Sequence, residues 1–227
     1  MLALLYDLHG NLPALETVLA DAEESGADRY LLGGDYALFG GWPVETVERL
    51  RTLDATWIRG NVDRWAAHPD DEEIPEAMRG AVEKGRELLG DETVAELDGL
   101  PEQLVLDGVR YCHASPLSDL RGFSSEEDAS DAELLAGATE WRIVFGHTHV
   151  QFSRTAGDGI ELVNPGSVGI PLDGDHRAAY ALVADDGAVE LRRVAYDFQA
   201  SADAVRERLG EAGEIPARRI EQARFDV

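Results

Sequence analysis

Asp7-Leu8-His9, Gly34-Asp35, Gly60-Asn61-Val62-Asp63 and Gly146-His147-Thr148-His149 set hard oxygen and imidazole donors directly after short apolar runs, and His113 follows a fifth. Carboxylate, amide oxygen and imidazole donors with no thiolate suit divalent ions such as Mn, Fe, Zn, Ni or Co. Asp7 and His9 are two residues apart after the run Leu2 to Tyr6, so if strand geometry persists both side chains leave on one face. His147 and His149 repeat the device after Ile143-Val144-Phe145. With Asp35, Asn61 and His113 the candidate ligands number seven, too many for one tetrahedral or octahedral ion that also keeps water. Two ions sharing a bridging carboxylate fit better, and two ions about 3.5–4 Å apart are a device for phosphoryl chemistry.

Such donors need strand ends to carry them. The first 60 residues alternate short apolar runs with helical spacing, the pattern of a parallel sheet with crossover helices. Strands are expected at Leu2 to Tyr6, Tyr30 to Leu32 and Ala55 to Ile58. A first helix starts at Asn11 as N-cap with Leu15, Val18, Leu19 and Ala22 as its apolar stripe, and a second runs from Pro43 to Leu53. Residues 68 to 100 are acidic with helical spacing and read as one or two helices over the sheet or the site. From Gln103 extended segments dominate, up to Ala178 to Val183 and Val189 to Val194. Turns such as Asp107-Gly108, Gly157-Asp158-Gly159 and Asp186-Gly187 separate several of them, which predicts hairpins in a second, more antiparallel sheet. Ser118 to Ser130 reads as a polar loop near the mouth of the site, and the chain after Ala200 as charged helix that suggests no chemistry.

A length of 227 residues suffices for one domain, 1–227, with a substantial core. The net charge of −25 arises from 45 acidic against 20 basic residues, and Lys84 is the only lysine. That surface repels phosphate backbones, so neither a nucleic-acid duplex nor an anionic membrane is an expected partner. Cys112 is the only cysteine, which excludes an intrachain disulfide and points to a buried thiol. The N-terminal apolar run is too short for a secretory core or a membrane span, so a cytoplasmic protein is expected. A homo-oligomer is left open.

Read in order, the segments resemble the calcineurin-like metallophosphoesterases, in particular their small prokaryotic phosphodiesterase-type branch. The family pattern Asp-x-His, Gly-Asp, Gly-Asn-His-acid, His, Gly-His-x-His is matched from Asp7 to His149, and Asn164-Pro165-Gly166-Ser167 also looks like the small branch. The resemblance implies an α/β fold, a four-layer α/β/β/α sandwich of two mixed sheets packed face to face and flanked by helices. It puts Asp7, His9 and His149 on one metal and Asn61, His113 and His147 on the other, with Asp35 bridging. Two divalent ions are thus the implied cofactors, with Mn2+ favoured and the native metal open. The implied reaction is hydrolysis of a small phosphoester by direct attack of a hydroxide held between the ions, with Asp35, Asn61 and Asp63 acting in catalysis.

Val62 departs from the pattern, because the better-known phosphatases of this fold carry there the His thought to protonate the leaving group or stabilise the transition state. A general acid contributes roughly 10²- to 10⁴-fold, so its loss favours good leaving groups and places phosphodiesters ahead of monoesters. Tyr6, where a small Ser is common, is a second departure. His68 and Arg64 are the nearest residues in sequence that could substitute for the missing general acid, and Arg64 is otherwise a clamp on a phosphoryl oxygen or a partner for acidic neighbours. Asn11 is most simply the N-cap, and it is near enough to His9 in sequence to touch substrate. His68 and His176 read as solvated loop residues. The rival readings are a nucleotide or protein phosphatase of the same fold, a non-catalytic metal-binding scaffold, and a purely structural metal site.

Overall fold

β1 (Leu2–Leu5) sorts its side chains by strand alternation. Ala3 and Leu5 point to the core under the helices, while Leu4 points to a second core between two sheets. β2 (Arg29–Leu32) repeats the division, with Tyr30 and Leu32 on the helix side and Leu31 between the sheets. In this computed structural model, which describes residues 1–157 and 159–227, β1, β2 and β3 (Ala55–Trp57) are parallel neighbours.

The helices between them follow their start signals. Asn11 caps α1 (Leu12–Glu24), its side-chain oxygen accepting from the Ala14 N–H at 3.4 Å. Pro43 opens α2 (Pro43–Leu50), which ends three residues earlier than the apolar pattern suggests, because residues 51–53 form a turn. α3 (Asn61–Ala67) was not foreseen, since the chain there carries ligand-type residues rather than an apolar stripe. The acidic stretch holds the 20-residue α4 (Arg79–Asp98), broken at Gly90 where φ is 76°. A glycine accepts that angle without the Cβ clash that any other residue would meet.

The second sheet runs in the order β4 (Gln103–Leu106), β5 (Val109–Cys112), β6 (Arg142–Val144), β8 (Glu161–Asn164), β7 (Phe152–Thr155). β5, β6 and β8 are parallel and only the two edge strands are antiparallel, so this sheet is less antiparallel than expected. β9 (Ala178–Val183) and β10 (Val189–Val194) do not join it. β9 pairs antiparallel with β1 and β10 with β9, completing the first sheet as β10-β9-β1-β2-β3. Alternation explains the choice of partner, for Ala178, Tyr180 and Leu182 complete the helix-side core while Ala181 enters the inter-sheet core.

The sheets therefore pack face to face through Leu4, Leu31 and Ala181 against Val109, Tyr111, Val144 and Val163. α1, α2, α4, α6 (Phe198–Leu209) and α7 (Glu214–Gln222) cover the first sheet. The outer face of the second carries a thinner layer, the four-residue α5 (Asp131–Leu134) and loops, with Phe123 and Leu134 packed against Ile143, Phe145 and Leu162. Of the turn Gly157-Asp158-Gly159, Asp158 lies outside the described residues. No helix among the described residues is long and apolar enough to cross a membrane.

Candidate metal centre

All seven candidate ligands follow the carboxyl ends of parallel strands, β1, β2 and β3 in one sheet and β5 and β6 in the other. Sites of open α/β sheets lie at such ends. The strand geometry expected to aim the paired ligands does not persist, however. β1 ends at Leu5, and Asp7 and His9 have φ of 54° and 49°. Asp35, His147 and His149 are also left-handed, at 58°, 65° and 58°. Non-glycine residues reach this region at a cost of roughly 1–2 kcal/mol each, so five such ligands mark a site whose surroundings hold it in place. The left-handed turns, not strand alternation, direct the side chains inward.

Glycines admit the close approach of these loops. A Cβ on Gly60 would lie 2.2 Å from Asp35 Oδ1, and one on Gly146 would lie 2.5 Å from Asp7 Oδ2. Tyr6 sets a further requirement. Its ring is fully buried and would meet a Cβ on Gly33 at 2.0 Å and one on Gly146 at 2.6 Å, while its hydroxyl donates to Val144 O at 3.3 Å. The larger residue before Asp7 is thus accommodated by glycines in both partner loops.

Asp7, His9, Asp35 and His149 present ligand atoms that all lie within 4.8 Å of one another, and all four are buried. Asn61 Oδ1 sits 2.9 Å from His113 Nε2 and 3.0 Å from His147 Nδ1, and Asp35 Oδ2 is 3.4 Å from His113 Nε2 and 3.7 Å from His9 Nε2. Asp35 therefore stands between two subsets of donors. The outer ring nitrogens are occupied by backbone carbonyls: His9 Nδ1 meets Leu38 O at 3.1 Å, His113 Nδ1 meets Gly33 O at 2.8 Å and His149 Nδ1 meets Ile170 O at 2.6 Å. A proton on each Nδ1 leaves the Nε2 lone pair facing inward, the arrangement that orients a ligating imidazole.

Two observations test whether cations fit this site. His9 Nε2 and His149 Nε2 lie 3.1 Å apart, an acceptor facing an acceptor once both Nδ1 protons are committed outward. Three carboxylates, Asp7, Asp35 and Asp63, are at most 2 % exposed, and no Arg or Lys among the described residues pairs with them. Buried carboxylates without countercharge are costly, and divalent ions supply that charge. The donors fit them.

Electrostatics in the protein alone point the same way. Burial raises the Asp7 carboxyl well above the ordinary range. Burial, followed by the Asp35 charge, pushes Asp63 up to about 7. Burial lowers His9, and burial and then its neighbour His113 bring His147 to about 4. For His113 burial opposes protonation, but the Asp35 and Asp7 carboxylates outweigh it and raise the imidazole to about 10. In the absence of metal ions this one ring bears the positive charge that the carboxylates demand.

The remaining expectations divide. Val62 lines the cavity over the ligands with its apolar side chain, and its N–H donates to Asp35 Oδ1 at 2.9 Å. Asp63 accepts from the backbone N–H groups of Gly60, Asp35 and Tyr36 and so positions the Asp35 loop. Asn11 is 1 % exposed and is engaged within the fold, donating to Gly169 O at 2.7 Å and accepting from Ser201 Oγ at 3.0 Å, and its N-cap reading holds. Arg64 is filled by carboxylates: Asp119 takes Nε at 2.8 Å, Glu73 takes Nη2 at 2.9 Å and Asp71 takes Nη1. Of its readings, the structure shows the acidic partners. His68 is exposed as expected, whereas His176 is half-buried, stacked on Phe198 with Nε2 2.8 Å from Glu221 O.

Several positioning residues gave no functional signal when read singly. Ser167 Oγ donates to Asp7 O at 2.7 Å, and the Asn164 amide donates to Gly146 O at 3.1 Å and Thr148 Oγ1 at 2.9 Å, tying the segment 164–167 to two ligand loops. The run Asn164-Pro165-Gly166-Ser167, which resembles the small branch, was the available clue.

The comparisons agree with this geometry. A structure of a metallophosphoesterase from Sphaerobacter thermophilus superposes with a TM-score of 0.82 at 26 % identity, covering 98 % of each chain. A hypothetical protein from Pyrococcus horikoshii shares the fold with a TM-score of 0.81 at 24 % identity, over 94 % of this chain and 96 % of that one. An uncharacterized protein of Methanocaldococcus jannaschii is 28 % identical over 219 residues, 88 % of this chain and 89 % of the relative. Residues 1–187 match the signature of the calcineurin-like phosphoesterase superfamily domain, and the chain belongs to that family.

Proposed function

We propose that the whole chain acts as one metal-dependent phosphoesterase unit that hydrolyses small phosphodiesters in preference to monoesters. The observation that carries this reading is the pair of facing acceptors, His9 Nε2 and His149 Nε2 at 3.1 Å, beside a carboxylate, Asp35, that reaches toward both donor subsets. Asp7, His9 and His149 would hold one ion, Asn61, His113 and His147 the other, and Asp35 both. Two divalent ions, Mn2+ favoured, would supply Lewis acidity to a phosphoryl oxygen and a water acidic enough for direct in-line hydrolysis.

The chain's own residues set the rest. The backbone carbonyls of Leu38, Gly33 and Ile170 fix the ring orientation of His9, His113 and His149. The Val62 N–H and the Asp63-braced loop fix the Asp35 carboxylate. Val62 offers no proton to a leaving group, and that favours esters whose leaving group departs as a stabilised anion.

Purified protein with Mn2+ is expected to cleave an aryl phosphodiester faster than the monoester of the same alcohol, and Asp35→Asn is expected to abolish turnover. Turnover that survives Asp35→Asn removes the mechanism, and a monoester preference transfers the reading to a phosphatase.

A further inference from the structure

The cavity above the ligands has a volume of about 600 Å³ and mostly apolar walls, with Phe39, Trp65, Met78, Leu172 and Phe225 among them. Two polar groups on these walls lack a hydrogen-bond partner among the described residues. Arg219, in the last turn of α7, lines the cavity together with His9, Asp35, Asn61, His147 and His149. Its Nε is buried without an acceptor, and desolvation alone bears on its charge, to which no carboxylate among the described residues is paired. Trp65 is 6 % exposed, and its indole N–H is likewise buried without an acceptor.

An unpaired, partly desolvated guanidinium is costly, the more so beside a site built for cations. In a chain with 45 acidic residues a partner would be easy to supply. The structure instead braces Arg219 from the other side. Ala223 adopts φ 50° and ends α7, and Phe225 returns to place its ring under the guanidinium, 4.3 Å from Cζ. That contact holds the planar group while leaving its N–H edge open for acceptors.

We infer that Arg219 and Trp65 form a substrate subsite, in which the guanidinium and the indole N–H receive oxygens of an anionic phosphoester whose ring-bearing, apolar substituent lies against Trp65, Met78, Leu172 and Phe225. The inference deepens the phosphoester reading and rests on it for the identity of the anion. An anionic occupant offsets the repulsion between Arg219 and ions at the ligand cluster, and the apolar walls select what the anion carries.

The test combines kinetics with a binding measurement that needs no turnover. With Mn2+ present, Arg219→Gln is expected to raise KM for an aryl phosphodiester about tenfold or more while changing kcat far less, as loss of a charge-assisted hydrogen bond does. Tryptophan fluorescence titrations with phenylphosphonate should show a matching loss of affinity, and wild-type protein should bind phenylphosphonate more tightly than methylphosphonate. Trp65→Phe, which keeps an aromatic ring and removes the N–H, should weaken phenylphosphonate binding several-fold. Because Arg219 has no hydrogen-bond or ion-pair partner among the described residues and would lose only its stacking on the exposed Phe225 ring, the melting temperature of Arg219→Gln should stay close to that of wild type, which separates lost binding from lost folding. Phenylphosphonate affinity within about twofold of wild type in both variants, or a wild-type preference for methylphosphonate, overturns the subsite. Absent turnover with Arg219-dependent phosphonate binding would sink the hydrolase reading and leave the subsite standing, whereas turnover with an unmoved KM does the reverse.

Discussion

Asp63 Oδ2 accepts the backbone N–H of Asp35 at 2.8 Å across 28 residues of sequence, and the same carboxylate accepts from Tyr36 at 3.1 Å and Gly60 at 2.9 Å. One buried side chain thereby joins the loop after β2 to the N-terminus of α3, where Asn61 begins. Asp63→Ala is expected to leave these donors without an acceptor and to lower stability by about 2–4 kcal/mol, since each buried unsatisfied group costs about 1–3 kcal/mol. Mn2+ affinity should fall with it, because both loops carry ligands. Asp63→Asn, which keeps acceptor capacity, should lose less. Urea unfolding of the chelated proteins and calorimetric Mn2+ titrations measure the two effects; a loss of affinity with no loss of stability would point to direct ligation instead.

Ion binding should itself stabilise the fold. Ligands that bind only the folded state add RT ln(1 + [L]/Kd), so the melting temperature should rise with Mn2+ and return when a chelator is added. His149→Ala removes one of the two facing Nε2 atoms and should flatten the Mn2+ dependence of the melting temperature. A melting temperature indifferent to Mn2+ in wild-type protein would contradict the fit of cations to this cluster.

Tyr6 and Gly33 should be energetically coupled. A Cβ at Gly33 falls 2.0 Å from the Tyr6 ring, so Gly33→Ala should destabilise strongly in the wild-type background and much less in Tyr6→Ala, where the ring is gone. The interaction energy between contacting residues is typically 0.5–3 kcal/mol in either sign. Additive single and double mutants in a denaturation cycle would show that the clash is relieved by backbone movement instead.

The same pair shows what the sequence could and could not convey. The ligands were legible because Asp, Asn and His after apolar runs are unusual residue types in an ordered succession. The left-handed conformation that aims them was not, because a single Asp7 or His149 carries no mark of φ. Arg64 and Asn11 were ambiguous for a different reason, since their partners Asp119, Glu73, Gly169 and Ser201 are remote in sequence and only the fold brings them near. Strand alternation in β9 and β10 was plain, but alternation alone does not say which sheet accepts a strand. Arg219 was hidden in a charged terminal helix whose neighbours Glu214 and Glu221 are engaged by Arg206 rather than by Arg219.

Cys112 bears on local stability. Burial pushes its thiol up to about 12, and the residue is 2 % exposed between β4 and β6 in the second sheet. Thiolate is the reactive form, so labelling in the native state should be slow and should accelerate only when the sheet opens. Thiol-exchange rates compared with global unfolding rates test this. Prompt labelling in native buffer would show that the strand opens without global unfolding.

The pairing of Arg206 with Glu221 gives a pH dependence whose sign is fixed. The Arg206 hydrogen bonds, acting against a smaller desolvation effect, lower the Glu221 carboxyl from 4.5 to about 2. A carboxyl whose folded pKa lies below its unfolded value binds fewer protons when folded, so its contribution is complete above about pH 4.5 and fades as pH falls toward 2. Glu221→Gln should therefore be less stable than wild type at neutral pH, with the difference shrinking through that window. Because Glu221 joins α7 to α6 and its carbonyl faces His176, the substitution should also loosen the helix that presents Arg219. Denaturant unfolding at a series of pH values measures the first effect and amide hydrogen exchange in residues 214–222 the second; a stability difference that persists unchanged at pH 2 would mean that the ion pair does not link these helices.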